Sequence, residues 1–243
     1  MYFSRITIKP DAVKSKEFFD LATGPYQIHS MIWELFSESE DQKRDFLYRM
    51  DIKNSRPVIY TVSQREPNYL GNLWNIETKP YNPQISEGMS LGFTLRANPV
   101  VKKTVPSNKG MKGKQSRHDV VMDAKWRIRE KSGKDAGAVN MSKLIQQEGF
   151  RWLANRSDRC GFSIDPKNDF EEDSDEESRK VRVDAYTQHK FIQGAKKRAI
   201  SLSTLDYTGV LTVTDKGKFT EALYHGIGPA KGFGCGLMMI RRI

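Results

Sequence analysis

The chain has 243 residues, enough for one large domain or two compact ones, and its 37% hydrophobic and 29% charged content describes a modest core under a large polar surface. A formal net charge of +10 points to an anionic partner, nucleic acid first and a membrane surface second. Two cysteines, Cys160 and Cys235, without paired spacing argue against a disulfide framework or a structural zinc site, and no apolar stretch is long enough to span a bilayer. The expectation is a cytoplasmic protein with no membrane contact, no metal and no cofactor.

In chain order, Tyr2–Lys9 alternates apolar and polar residues and reads as a half-buried strand. Gly24-Pro25 opens a helix running to Phe36, since proline is tolerated in the first turn, where no amide donor is needed. Phe46–Asp51, Pro57–Ser63 and Leu73–Lys79 read as strands, with a helix expected but poorly written in Glu66–Asn72. Met89–Ala97 begins a second unit. An amphipathic helix over Ser142–Asn155 follows, then strands over Val181–Gln193, Arg198–Ser203 and Tyr207–Thr214. A short helix at Lys216–Tyr224 and a strand at Cys235–Arg241 close the chain. The order gives an α+β protein of two tandem ferredoxin-like (RRM-like) βαββαβ domains, the first over residues 1–85 and the second over 86–243.

Charge is unevenly spread. Residues 165–177 carry eight acids and one base, and removing that net of −7 leaves +17 on the other 230 residues. The acidic run reads as a solvated loop, because like charges repel and Phe170 alone offers apolar surface. Residues 102–131 hold ten bases against three acids, including Lys102, Lys103, Lys109, Lys112, Lys114 and Arg117. Lys196, Lys197 and Arg198 follow Gly194 between two strands, as if on a hairpin. Such clusters neutralise phosphates with little base selectivity, although a charge run is more often only a solvated face. Asp119 and Asp123, which share a possible helix face among these bases, are expected to pair with them.

Two local patterns carry chemistry. His29 lies in the first turn of the Pro25 helix, at the edge of an apolar face formed by Ile28, Met31, Ile32, Leu35 and Phe36, with Tyr26 and Trp33 beside it. A helix N-terminus favours an anion and disfavours an imidazolium, which suits a neutral histidine acting as a base near a phosphate. A lone boundary histidine is the plainer alternative. The second pattern is the loop Gly226–Gly236, with five glycines in eleven residues around Lys231. Gly228 and Gly232 allow a phosphate close to the backbone. No Walker sequence or dinucleotide fingerprint is present, and an ordinary turn into an edge strand remains open. His118, His189 and His225 lack ligand spacing and read as structural or exposed.

Met1–Arg5, Tyr26-Gln-Ile-His29 with Ile32, Trp33, Leu35 and Phe36, Arg44–Tyr48, Phe93–Pro99, Gly209–Val213 and Gly226–Leu237 occur in an order that resembles the CasE family, the pre-crRNA endoribonucleases of type I-E CRISPR systems. The resemblance runs from residue 1 to the C-terminus; the acidic run over 165–180 departs from its pattern. It implies two ferredoxin-like domains and a metal-independent cut on the 3′ side of a CRISPR repeat hairpin, leaving a 2′,3′-cyclic phosphate. It also implies retention of the crRNA with the other Cascade subunits. His29 takes the place of the family's catalytic histidine, either removing the 2′-hydroxyl proton or protonating the leaving 5′ oxygen, and Tyr26 that of its active-site tyrosine, while the stem-binding hairpin falls on 194–200. A non-catalytic RNA-binding scaffold of two RRM-like domains is the rival, but no aromatic RNP strand is visible. A small-molecule regulator leaves the basic tracts unexplained.

Overall fold

A computed structural model describes residues 1–14, 25–37, 44–69, 71–105, 114–132, 139–165, 180–193 and 198–243. The first sheet holds β1 (Tyr2–Ile8), β2 (Phe46–Lys53), β3 (Arg56–Ser63) and β4 (Trp74–Pro80), in the antiparallel order β2-β3-β1-β4. Alternation along β1 sends Ser4, Ile6 and Ile8 inward. Helix α1 (Pro25–Glu34) covers that face with Ile28 and Ile32, joined by Leu35 and Phe36 just beyond its end. Lys53 pairs with Arg56 across the β2–β3 turn, where Asn54 and Ser55 both adopt positive φ, the pattern a two-residue hairpin requires.

The strand order is ferredoxin-like, but the helix expected over Glu66–Asn72 does not form among the described residues there. Backbone and side-chain bonds hold an irregular connection instead. The Asn68 amide donates to Leu35 O at 2.8 Å and the Leu73 amide to the Tyr69 hydroxyl at 2.9 Å. Glu66-Pro67 cannot readily propagate a helix, because the residue before proline is pushed out of the helical region.

The second sheet is built on β5 (Ser90–Ala97) and completes the tandem ferredoxin-like architecture. Between β5 and the first covering helix come three elements that the sequence reading did not separate: β6 (Val100–Val105), β7 (Lys114–Asp119) and α2 (Val120–Ser132). Their charge hid them, since β6 and β7 form a two-stranded ribbon with little apolar alternation. Among the described residues Asp119 does not pair with bases. Its carboxylate accepts the Val121 and Met122 amides at 2.8 and 2.9 Å, capping α2, and also the Tyr186 hydroxyl at 3.0 Å. Asp123 does pair as expected, with Lys103 and Arg127.

Helices α3 (Met141–Ser157) and α4 (Lys216–His225) supply Leu144, Phe150, Leu153, Phe219 and Leu223 to the larger core. The remaining strands are β8 (Phe162–Ser163), β9 (Val181–Gln193), β10 (Arg198–Val213) and β11 (Met238–Arg242), arranged β11-β5-β10-β8 with β9 also on β10. The two strands expected over 198–214 are one continuous strand, and the β9 register shifts between Asp206 and Tyr207. The last strand starts at Met238 instead of Cys235, because Cys235 and Leu237 are buried in the preceding loop. No helix among the described residues is long and apolar enough to cross a membrane.

Arg96 on β5 ties the two sheets together. Its Nε and Nη2 donate to both oxygens of Asp206, directly across on β10, at 2.7 and 2.9 Å, and its Nη1 donates to Met50 O on β2 at 2.7 Å. Asp51 adds a second carboxylate at 3.8 Å. Breaking a mostly buried bidentate pair leaves an uncompensated charge, so Arg96→Ala or Asp206→Asn is expected to cost about 2–3 kcal/mol, below the fully buried range because both partners retain some solvent. Urea melts of the two variants check this; midpoints unchanged from wild type contradict the assigned role.

Candidate active site

Helix α1 presents His29 towards the second unit. Its ring packs between Trp33, one turn on, and Phe233 of the glycine-rich loop, each with ring centroids 6.1 Å away. The loop reaches this point because Gly226, Gly228, Gly234 and Gly236 adopt positive φ, as does Ala230. Backbone bonds close it: the Ile227 amide donates to Gly236 O at 2.9 Å and the Gly236 amide to Arg96 O at 2.7 Å. The arginine that joins the sheets therefore also fixes the loop.

At the apex, the Tyr48 hydroxyl of β2 donates to Gly232 O at 3.0 Å. A Cβ on Gly232 would stand 3.0 Å from Arg44 Nη1 and 3.6 Å from His29 Cε1. Loop backbone, imidazole and guanidinium thus meet at one point, and glycine is the residue that leaves room for a ligand there. Gly236 has a different constraint. At φ +94° a side chain is strained, and its Cβ would lie 3.0 Å from Ile227 O.

The electrostatics favour an anion. Burial, and secondarily the Arg44 charge, hold the His29 pKa below its ordinary 6.5, so the ring is neutral at physiological pH. Burial and then Arg44 also lower Lys231, whose ammonium donates to His225 O. Arg44 itself is lowered by burial. Arg44 and His29 therefore meet at Gly232, with the Lys231 ammonium near enough to feel the Arg44 charge, and a phosphate there would offset the repulsion. His29 Nδ1 is enclosed without a hydrogen-bond partner among the described residues. Behind Phe233 and Gly234 lies a cavity of about 220 Å³, lined also by Ile28, Tyr48, Arg96, Asp206 and His189. His189 bonds the Thr204 hydroxyl at 3.0 Å, in keeping with a structural reading.

Not every residue singled out from the sequence falls at this centre. Tyr26 sits on α1 one turn before His29, and its side chain lies outside the described residues, as do those of Lys114 and Arg198. Lys109, Lys112, Lys196 and Lys197 lie outside the described residues altogether, as does most of the acidic run. Lys102 and Arg117 are exposed on the β6–β7 ribbon, whereas Lys103 is engaged by Asp123, so its charge is already matched. Gly228 packs its backbone against Trp152. Sequence reasoning gave no role to Arg44, Tyr48 or Phe233. The first two stood inside the Arg44–Tyr48 stretch of the family pattern and Phe233 inside its Gly226–Leu237 stretch, the signals available for them.

A family model described as CRISPR associated protein matches residues 1–242. The chain is 26% identical over 217 residues to the CRISPR system Cascade subunit CasE of Escherichia coli K12, covering 88% of this chain and 90% of that one. It is 23% identical over 247 residues to the CRISPR-associated endoribonuclease Cse3 of Thermus thermophilus, covering 99% of both. The structure of Thermus thermophilus Cse3 bound to an RNA representing a pre-cleavage complex superposes with a TM-score of 0.66 at 21% identity, over 99% of this chain and 98% of that one. The fold is thus that of the tandem ferredoxin-like CRISPR proteins. This chain belongs to the CRISPR-associated protein family and is a CasE family member.

If burial and Arg44 depress the His29 pKa, NMR titration of the free protein should place its midpoint below 6.5. Arg44→Ala should move that midpoint upward, because removing a neighbouring cation lowers the cost of the imidazolium, while burial still keeps it below the ordinary value. A midpoint at or above 6.5 in the wild type, or a downward move in the variant, contradicts the described site.

Proposed function

We propose that this protein is a metal-independent endoribonuclease that cuts CRISPR precursor RNA at the base of the repeat hairpin and stays with the mature crRNA in a Cascade-type complex. The observation that carries the reading is the neutral His29 facing Gly232 beside Arg44. The names of the relatives, an endoribonuclease and a Cascade subunit, agree with it.

RNA brings its own nucleophile. His29 takes the proton from the 2′-hydroxyl, and the 2′ oxygen forms a bond to the scissile phosphorus. The bond from phosphorus to the 5′ oxygen then breaks, giving a 2′,3′-cyclic phosphate and, after protonation, a 5′-hydroxyl. The depressed pKa supports the base role, since an imidazole already neutral at pH 7 can accept this proton. Arg44 and Lys231 balance the charge that builds on the phosphorane, and the Gly228–Gly232 backbone lets the phosphate approach closely. Tyr26, one turn before His29, orients the phosphate or the imidazole. Lys109, Lys112, Lys114, Lys196, Lys197 and Arg198, together with Lys102 and Arg117, hold the A-form stem by its phosphates, because its deep major groove is closed to side chains. Residues 1–85 contribute the base and residues 86–243 most of the RNA surface.

His29→Ala should slow single-turnover cleavage by about 10²–10⁴-fold with little change in RNA affinity, and Tyr26→Phe should slow it less. Wild-type rates in His29→Ala would refute the assignment; equal losses of binding and cutting would make His29 an RNA contact. Cutting should persist in excess EDTA and stop when a 2′-deoxy nucleotide stands at the cut site. Below neutral pH the wild-type rate should fall as His29 becomes protonated, with the midpoint of that limb under 6.5. A rate that instead rises on acidification assigns His29 the acid role.

A further inference from the structure

Behind the glycine-rich loop, on the side away from β9, lies a trough of about 770 Å³ between the β6–β7 ribbon, the end of α3 and residues 226–231. Lys102, Arg117, Arg156, Arg159 and Lys231 line it, and no carboxylate is among its lining residues. The lining thiol of Cys160 is pushed up by burial and stays neutral, so it brings no countercharge.

Arg156 is the fixed element. Its guanidinium lies over the Trp152 ring at 3.9 Å, with Nη1 donating to Trp152 O at 2.9 Å and Nη2 to Val100 O at 3.3 Å. Its Nε is buried without a partner among the described residues. Burial, with the nearby Arg159 charge, draws its pKa down to about 10. Two other partly buried arginines are matched: Arg96 holds Asp206 and Arg49 holds Asp51 at 2.8 Å. Among the described residues Arg156 holds only carbonyls and an aromatic face. That arrangement orients the cation and leaves its charge for an outside anion.

The trough is also placed on a route. A neighbouring cleft of about 430 Å³ is lined by Ser201 and Leu202 of β10, Pro229 and Phe233 of the loop, and Val100 and Arg117 of the ribbon. It shares Val100, Arg117 and Pro229 with the trough. A continuous concave path therefore leads from the β9–β10 face, past Phe233 beside His29, into the trough.

We propose that this trough binds the phosphate backbone of the RNA segment 3′ of the scissile bond, with Arg156 and Arg159 as contacts. The inference rests on the endonuclease reading. With the hairpin stem on the β9–β10 side and its base at His29, the strand that continues beyond the loop is the 3′ flank. Several cations in an open groove with no base-reading side chains suit consecutive phosphodiesters more than a compact ligand.

The test uses the full-length protein and a repeat hairpin with a 2′-deoxy nucleotide at the cut site. One form keeps a single-stranded 3′ flank, and the other is trimmed to one nucleotide beyond the cut. In wild type the flank should tighten binding and steepen the log K against log salt slope by about 1.4, the value for two single-strand phosphate contacts. Arg156→Gln/Arg159→Gln, at the two positions named as contacts, should bind the trimmed RNA like wild type and lose the gain from the flank. Arg156→Lys should keep part of it. A wild type that gains nothing from the flank, or gains only from a 5′ flank, overturns the proposal without any variant, and so does a double variant that gains as much as wild type. Single-turnover cutting of the all-ribose RNA by wild type is run alongside. Its absence would count against the endonuclease reading, whereas cutting with no flank effect would count against the trough alone.

Discussion

Arg96 is the interaction on which the rest of the structure depends. One guanidinium bridges Asp206 on the neighbouring strand and Met50 O in the other sheet, while its own carbonyl receives the Gly236 amide. Five donors in a rigid plane suit this task, since two can grip a carboxylate while a third reaches a carbonyl elsewhere. The carboxylates of Asp206 and Asp51 keep the buried cation stable and raise its pKa against the opposing effect of burial. Through this one side chain, the placement of the glycine-rich loop is tied to the relative position of the two sheets. The loop in turn decides whether anything stands opposite His29.

The centre itself follows from crowding. His29 and Arg44 are brought together at Gly232, with Lys231 within reach of the Arg44 charge, on three separate segments, and among the described residues none is paired with a carboxylate there. Depressed proton affinity is the signature of that crowding. Burial is the larger cause of the lowered His29 pKa and the Arg44 charge the second, and that same charge would favour a phosphate beside the imidazole. Tyr48, whose buried hydroxyl is pushed well above the usual phenol range, remains neutral and acts by holding Gly232.

Two kinds of positive charge can be separated in the second unit. Lys103 and Arg127 are spent on Asp123, and Arg151 on Glu148, so they stabilise the packing of α2 against β6 and the surface of α3. Arg156, Arg159, Lys102 and Arg117 face a trough without acids. Counting basic residues along the chain mixes the two groups; only the position of the carboxylates distinguishes them.

The sequence by itself determined most of the element order. Alternation in Tyr2–Ile8 and Ser90–Ala97, the apolar stripe of α1 and the proline that starts it are local patterns, and local patterns are what a chain states directly. The ordered family motifs also brought His29 and the Gly226–Gly236 loop forward as a pair. The sequence was silent where the deciding contact is far along the chain. Asp119 reads as one acid among bases until α2 and Tyr186 are placed on it, and the β6–β7 ribbon has too little apolar periodicity to announce itself. Arg44, Tyr48 and Phe233 show no chemistry of their own in the linear text. Tertiary structure alone set them around Gly232, because that convergence depends on distant segments, Tyr48 and Gly232 being 184 residues apart, held together through Arg96 and the loop.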